Sequence, residues 1–220
     1  GTGKTTTLNG ILELYEKQKL RVCLAAPTGR AAMRMSEVTG RQAKTVHRLL
    51  EVEWTDNDRQ HFARNMENPL EADAVIVDEL SMIDTHLFAA LLNALPLGCR
   101  LVMVGDADQL PPVGAGNVLQ DIIASDLLPV VALTEVFRQS LQSLIVTNAH
   151  KIVKGEYPEL SRTDKDCFFL QRANVFQSAE TVQELYTKRL PKAYGYNPIE
   201  DIQIICPSRK GELGTVNLNR

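Results

Sequence analysis

The 220-residue chain is poor in aromatic residues, at 5%, and carries one tryptophan and four cysteines. Cys23, Cys99, Cys167 and Cys206 lie far apart with no C-x-x-C pair among them, which argues against structural zinc. They are expected to be buried free thiols. No apolar run approaches membrane-spanning length and the first residues do not read as a signal peptide, so no membrane partner is expected and the cytoplasm is the default location. A net charge of -3 leaves no chain-wide positive footprint for nucleic acid, so any such site must be a local groove. What is present, 44% hydrophobic and 23% charged residues, is the composition of a globular protein. The length suits one large or two modest domains with a real core.

The most informative stretch comes first. Gly1, Thr2, Gly3, Lys4, Thr5 and Thr6 read as the end of a G-x-x-x-x-G-K-[ST] phosphate loop whose first glycine would lie two places before Gly1. The chain is therefore expected to begin inside its own motif. The glycines let backbone N–H groups approach phosphate oxygens, Lys4 would reach the β- and γ-phosphates of ATP, and the Thr5 hydroxyl would sit on Mg²⁺. Leu8, Ile11, Leu12 and Tyr15 follow at helical spacing, so a helix dipole would face the same phosphates.

Three apolar runs then end in polar residues, the pattern of an open α/β sheet that binds ligands at its strand ends. Residues 20–26 lead into Pro27, Thr28 and Arg30, followed by Arg34, Arg41, Lys44, His47 and Arg48 with only Glu37 opposing. This basic stretch is either a solvated helix face or a set of phosphate-backbone contacts, and Thr28 and Arg30 beside a phosphate loop favour the second. Residues 51–73 are polar and expected to be irregular; Trp54 there would pack over its own loop or stack on a base. Residues 74–77 form a continuous apolar strand ending in Asp78 and Glu79. Asp78 would hold Mg²⁺ and Glu79 would polarise the attacking water; the structural alternative is a helix N-cap leading into 85–95. Residues 100–104 repeat the device and deliver Asp106 and Gln109, whose neutral amide suits a sensor of the γ-phosphate or lytic water. A helix at 117–125 and a strand at 129–133 follow, and then Arg138, a candidate arginine finger.

The ordered set GTGKTT, APTGRAA, KTVHRLL, VDELSMID, VGDADQLPPVGAG and LTEVFRQ resembles superfamily 1 DNA helicases, specifically the RecD-like group: the exonuclease V alpha subunit and its stand-alone bacterial relatives. The resemblance implies an α/β P-loop fold in which a RecA-like parallel sheet flanked by helices precedes a second RecA-like domain. It implies ATP-driven 5′-3′ translocation on single-stranded DNA in repair or recombination, with recombination or nuclease subunits as possible partners. Carried over by position, Gly3, Lys4, Thr5 and Thr6 would bind nucleotide, Asp78 and Glu79 would serve Mg²⁺ and hydrolysis, and Gln109 and Arg138 would sense the γ-phosphate. Pro27, Thr28, Arg30 and His47 would lie toward DNA.

Beyond Arg138 a helix is expected at 140–154, ended by Gly155 and Pro158, and a domain junction near 161–166 divides the chain into 1–160 and 161–220. Strands at 167–170 and 202–206 and a helix at 178–190 would open the second domain. Arg209 and Lys210, just past the last strand, are candidate phosphate-backbone contacts. Most of that domain is absent, so the fragment is expected neither to unwind nor to hydrolyse efficiently. Two other classes remain open: a DNA-independent P-loop switch, and a helicase-like DNA-binding subunit of a nuclease or relaxase complex. No N-K-x-D guanine-reading element occurs, and no nuclease carboxylate cluster is visible.

Overall fold

The computed structural model describes residues 3–54, 60–133 and 142–219. The chain divides into two compact units, Gly1–Gln142 with His150–Glu156, and Ser143–Ala149 with Tyr157–Arg220.

The first unit starts with α1 (Lys4–Lys17), entered through Gly3 at φ 87°, a left-handed conformation that glycine adopts without steric cost. Then come β1 (Val22–Ala26), α2 (Gly29–Thr39), β2 (Ala43–Thr45), α3 (Val46–Leu49), β3 (Val52–Trp54), β4 (Gln60–Phe62), β5 (Ala74–Val77), a 3₁₀ turn (Leu80–Met82), α4 (Thr85–Ala94), β6 (Arg100–Met103) and α5 (Val118–Ser125). Four strands form a parallel sheet in the order β2-β1-β5-β6, with Leu24 opposite Ile76 and Ile76 opposite Val102. Alternate residues point to opposite faces, and both faces are covered. Ala25, Val75 and Val77 pack with Leu49, Leu50, Leu80, Ile83, Leu87 and Leu91. Leu24 and Ile76 pack with Leu8, Leu12 and Met35 from α1 and α2. Burial on both faces is why β1 and β5 read as unbroken apolar runs. Each Leu, Ile or Val so buried stabilises the unit by about 1.5–3 kcal/mol relative to exposure.

Two expectations for this unit are corrected. Residues 51–73 are not wholly irregular: β3 and β4 pair antiparallel, with Val52 opposite Phe62, and Phe62 packs against the core. Residues 129–133 form no strand; Val130 and Val131 are exposed, and a strand needs a ladder partner that the described residues do not offer them.

The second unit is helical in its described residues. It takes the first part of α6 (Leu144–Val153), then α7 (Val175–Glu184), a π turn (Leu185–Arg189), α8 (Leu190–Tyr194), α9 (Pro198–Asp201) and α10 (Thr215–Leu218). Asp166 caps α6, accepting from Leu144 N at 2.7 Å and from the Ser143 hydroxyl. Asn148, buried inside α6, donates to Glu159 O at 2.9 Å and accepts from Glu159 N at 2.8 Å, so it fixes the returning chain through both amide ends. The strands expected at 167–170 and 202–206 are absent, since no ladder partner occurs among the described residues. The helix expected at 178–190 starts earlier, where the Asn174 side chain accepts from Gln177 N, and passes through a π turn just before Pro191. Proline has no N–H for the helical ladder, which accounts for the irregularity. The four cysteines are free thiols, partly buried rather than buried as expected; burial raises the pKa of Cys23 and Cys99. Among the described residues no helix is long and apolar enough to cross a membrane.

Candidate active site

The polar residues that follow β1, β5 and β6 share the carboxyl edge of the sheet because those strands are parallel and adjacent. After β1, Pro27 is half-buried and Thr28 caps α2, its hydroxyl oxygen accepting from Ala31 N at 3.2 Å. Thr28 thus has a backbone task in addition to any ligand. Arg30 is exposed on the first turn of α2.

After β5, Asp78 accepts from the following backbone N–H, of Glu79, at 2.8 Å. Glu79 sits at φ 54° and ψ 42°, left-handed for a side-chain-bearing residue, and its Oε2 is buried without a hydrogen-bond partner. Both features cost stability, and such costs concentrate at functional sites. The N-cap alternative for this pair is settled by Asp84, which accepts from Leu87 N at 2.8 Å and caps α4 instead.

After β6, the Asp106 carboxylate lies 4.0 Å from Lys4 Nζ, which brings the phosphate-loop lysine to the β6 strand end. Both side chains are about a third or more exposed, so the pair adds little to stability and its interest is positional. Gln109 is exposed but tethered: Ser81 Oγ donates to its Oε1 at 3.4 Å. Thr5 and Thr6 are exposed on the first turn of α1. Gly1, Thr2 and Arg138 lie outside the described residues.

His47 is half-buried on α3, its ring 6.1 Å from Phe62 of β4, which also lies 6.2 Å from the His86 ring. Arg209 and Lys210 belong to the second unit and are exposed in a tight turn closed by Gly214, where a Cβ would fall 2.6 Å from Arg209 O. Sequence reasoning passed over Ser81. Its signal was a polar residue inside the apolar LSMI run just past a buried strand.

Two clefts, of about 400 and 480 Å³, lie at the opposite ends of the strands. They are lined around the Arg41–Glu16 and Arg21–Asp73 ion pairs. The unpartnered Glu79 oxygen weighs for the carboxyl edge of the sheet rather than for these clefts. Among the described residues no group of three His, Cys, Asp or Glu side chains could cage a metal. A hydroxyl and a carboxylate, from Thr5 and Asp78, fit Mg²⁺ shared with phosphates and water, the usual way that ion is held.

A parallel sheet with a phosphate loop at the start of α1 and carboxylates at the next strand ends is a P-loop nucleotide-binding fold. An AAA domain model matches residues 1–115. The ATP-dependent RecD2 DNA helicase of Deinococcus radiodurans is 39% identical over 226 residues, covering 100% of this chain and 28% of that protein. The RecBCD enzyme subunit RecD of Mycobacterium tuberculosis is 38% identical over 146 residues, covering 56% of this chain and 25% of that protein. A structure of the Pif1 helicase from Bacteroides with ADP-AlF3 and ssDNA superposes with a TM-score of 0.49 at 24% identity, over 88% of this chain and 46% of that one, too distant a likeness to bear on function. The chain belongs to the AAA domain family and, within it, to the RecD-like helicases of superfamily 1. It spans about a quarter of the length of the curated relatives above.

Proposed function

We propose that this chain is the nucleotide-binding part of an ATP-dependent helicase that moves 5′-3′ along single-stranded DNA in repair or recombination. Residues 1–160 would be its first RecA-like domain and 161–220 the opening of a second. The observation that carries the hydrolytic reading is Glu79, a carboxylate with a buried unpartnered oxygen, held in strained backbone after β5 at the same sheet edge as the Lys4–Asp106 pair. The DNA reading rests on the RecD2 relative, which matches over the whole chain.

In this reading Gly1 to Thr6 bind the triphosphate, and Lys4 exchanges its Asp106 counter-charge for the β- and γ-phosphates. Thr5 and Asp78 would hold Mg²⁺, which when bound would neutralise negative charge on the phosphates. Glu79 takes the proton of the attacking water. Gln109 senses the γ-phosphate, and Arg138 stabilises charge in the transition state. Pro27, Thr28, Arg30 and His47, with Arg209 and Lys210 of the second unit, face the DNA backbone. Because catalysis between two domains needs groups from both, the 220-residue chain alone would turn over poorly. The likeness to RecBCD subunits favours, as a second reading, a role inside a nuclease complex.

The test is steady-state ATP hydrolysis by the full-length protein with and without single-stranded DNA, with Lys4→Ala as control. Stimulation by DNA that the substitution abolishes is expected, and tailed duplexes then give polarity. Turnover indifferent to DNA would replace the motor with a DNA-independent switch.

A further inference from the structure

The loop that carries Gln109 is fastened to the segment after β5 at several points. Leu80 N donates to Val104 O at 2.9 Å, at the base of the loop. Gly105 sits so close that a Cβ there would lie 3.4 Å from Leu80 N and 2.7 Å from the end of Leu119. Farther on, Thr85 N donates to Ala115 O at 3.0 Å, while Gly114 and Gly116 pack against Asp84 and Thr85 with no room for a side chain. Between these anchors stands one side-chain link, from Ser81 Oγ to Gln109 Oε1. Ser81 is 5% exposed, and among the described residues Gln109 is the only hydrogen-bond partner of its hydroxyl.

A glutamine amide has two unlike ends, and which one faces the ligand decides whether it attracts or repels an anion. With Oε1 accepting from Ser81, the NH₂ end is left to donate. With the amide reversed, a carbonyl oxygen would face phosphate oxygens and repel them.

We infer that Ser81 is a positioning residue for the nucleotide reaction: its hydroxyl fixes the Gln109 amide with the NH₂ end toward the γ-phosphate, so the site distinguishes triphosphate from diphosphate. The inference rests on the nucleotide-site reading above. It predicts a defect confined to the γ-phosphate, because nothing in the geometry connects Ser81 to the α- and β-phosphates.

The experiment measures, in the full-length protein with Mg²⁺, the affinities for ADP and for a non-hydrolysable ATP analogue. Ser81→Ala is expected to lower the ratio of analogue to ADP affinity about 3- to 10-fold, the range of one neutral hydrogen bond, with ADP affinity unchanged. Ser81→Cys keeps the volume with a poor donor and should behave like alanine, whereas Ser81→Thr restores the hydroxyl and should recover the ratio. If threonine proves too large for the buried site, the double variant Ser81→Ala/Gln109→Ala still decides: it should lose no more than Gln109→Ala alone. Equal losses for ADP and analogue, or full additivity with Gln109→Ala, would overturn the assignment. Lys4→Ala separates the two levels of the argument: if it leaves analogue binding intact, the nucleotide-site reading fails, and the role of Ser81 falls with it.

Discussion

Replacing Glu79 by glycine should make the protein more stable and nearly inactive at once. At φ 54° Glu79 holds a left-handed conformation that costs a side-chain-bearing residue about 1–2 kcal/mol and glycine nothing. Its buried, unpartnered Oε2 adds a desolvation cost of about 1–3 kcal/mol. Against these stand the extra unfolded-state freedom of glycine, about 0.5–1 kcal/mol, and the lost burial of two methylenes, about 0.8 kcal/mol each. The central values favour Glu79→Gly by about 1 kcal/mol, or roughly 2–4 °C in melting temperature for a chain of this size. Hydrolysis by the full-length protein should meanwhile fall about 10²- to 10⁴-fold, the usual contribution of a general base. Glu79→Gln is the companion variant: it should lose hydrolysis equally while keeping the backbone strain, and so gain less stability. Scanning calorimetry and steady-state turnover on the three proteins decide the matter. A lower melting temperature for the glycine variant would refute the strain argument, and retained hydrolysis in either would remove Glu79 from the chemistry.

Four further outcomes are expected. Asn148→Ala strands both backbone groups of Glu159 and should destabilise the second unit by about 1–3 kcal/mol in urea denaturation, with an unchanged midpoint counting against it. The Asp166 carboxyl is held below its ordinary pKa, first by the Ser143 hydroxyl and then by the N–H groups of α6. Arg162 lowers Asp164 to about 2. A depressed carboxylate pKa gives stability that is present above the unfolded value, about 3.9, and lost as pH falls through the folded one. Acid titration should thus show loss beginning below about pH 4, and Asp166→Asn should weaken that dependence. Gly114→Ala drives a Cβ into the Asp84 carboxylate that caps α4 and should cost about 0.5–2 kcal/mol, read by thermal melting. Arg30→Ala should weaken DNA binding and lower the salt slope by about one; an unchanged slope would return Arg30 to a solvated face.

How much of this was legible beforehand depended on where each hydrogen bond goes. β1, β5 and β6 could be read because strands covered on both faces must be continuously apolar, and their polar ends announced the site. β2 escaped because three residues, Ala43–Thr45, are too short to make a pattern. The β3–β4 pair escaped because polar residues surround its pairing, among which Phe62 turns inward. Residues 167–170 and 202–206 have strand-like composition, yet composition alone cannot supply a ladder partner. The Lys4–Asp106 and Ser81–Gln109 pairs join residues 102 and 28 positions apart, a closeness that only the finished sheet creates.

Strand pairing in this sheet also has an order in time. Val22 pairs with Ala74, and Ala74 with Arg100, so each neighbouring strand must wait for chain made much later. At about 5–20 residues per second of synthesis, β1 remains without its β5 neighbour for several seconds, while the β3–β4 pair between them can close locally. Lys4 is made 102 residues before Asp106 and cannot meet it until the intervening sheet has formed. Newly made chain thus carries a phosphate loop before it carries a nucleotide site, and ATP would act late, as a ligand that rewards completed folding rather than one that guides it.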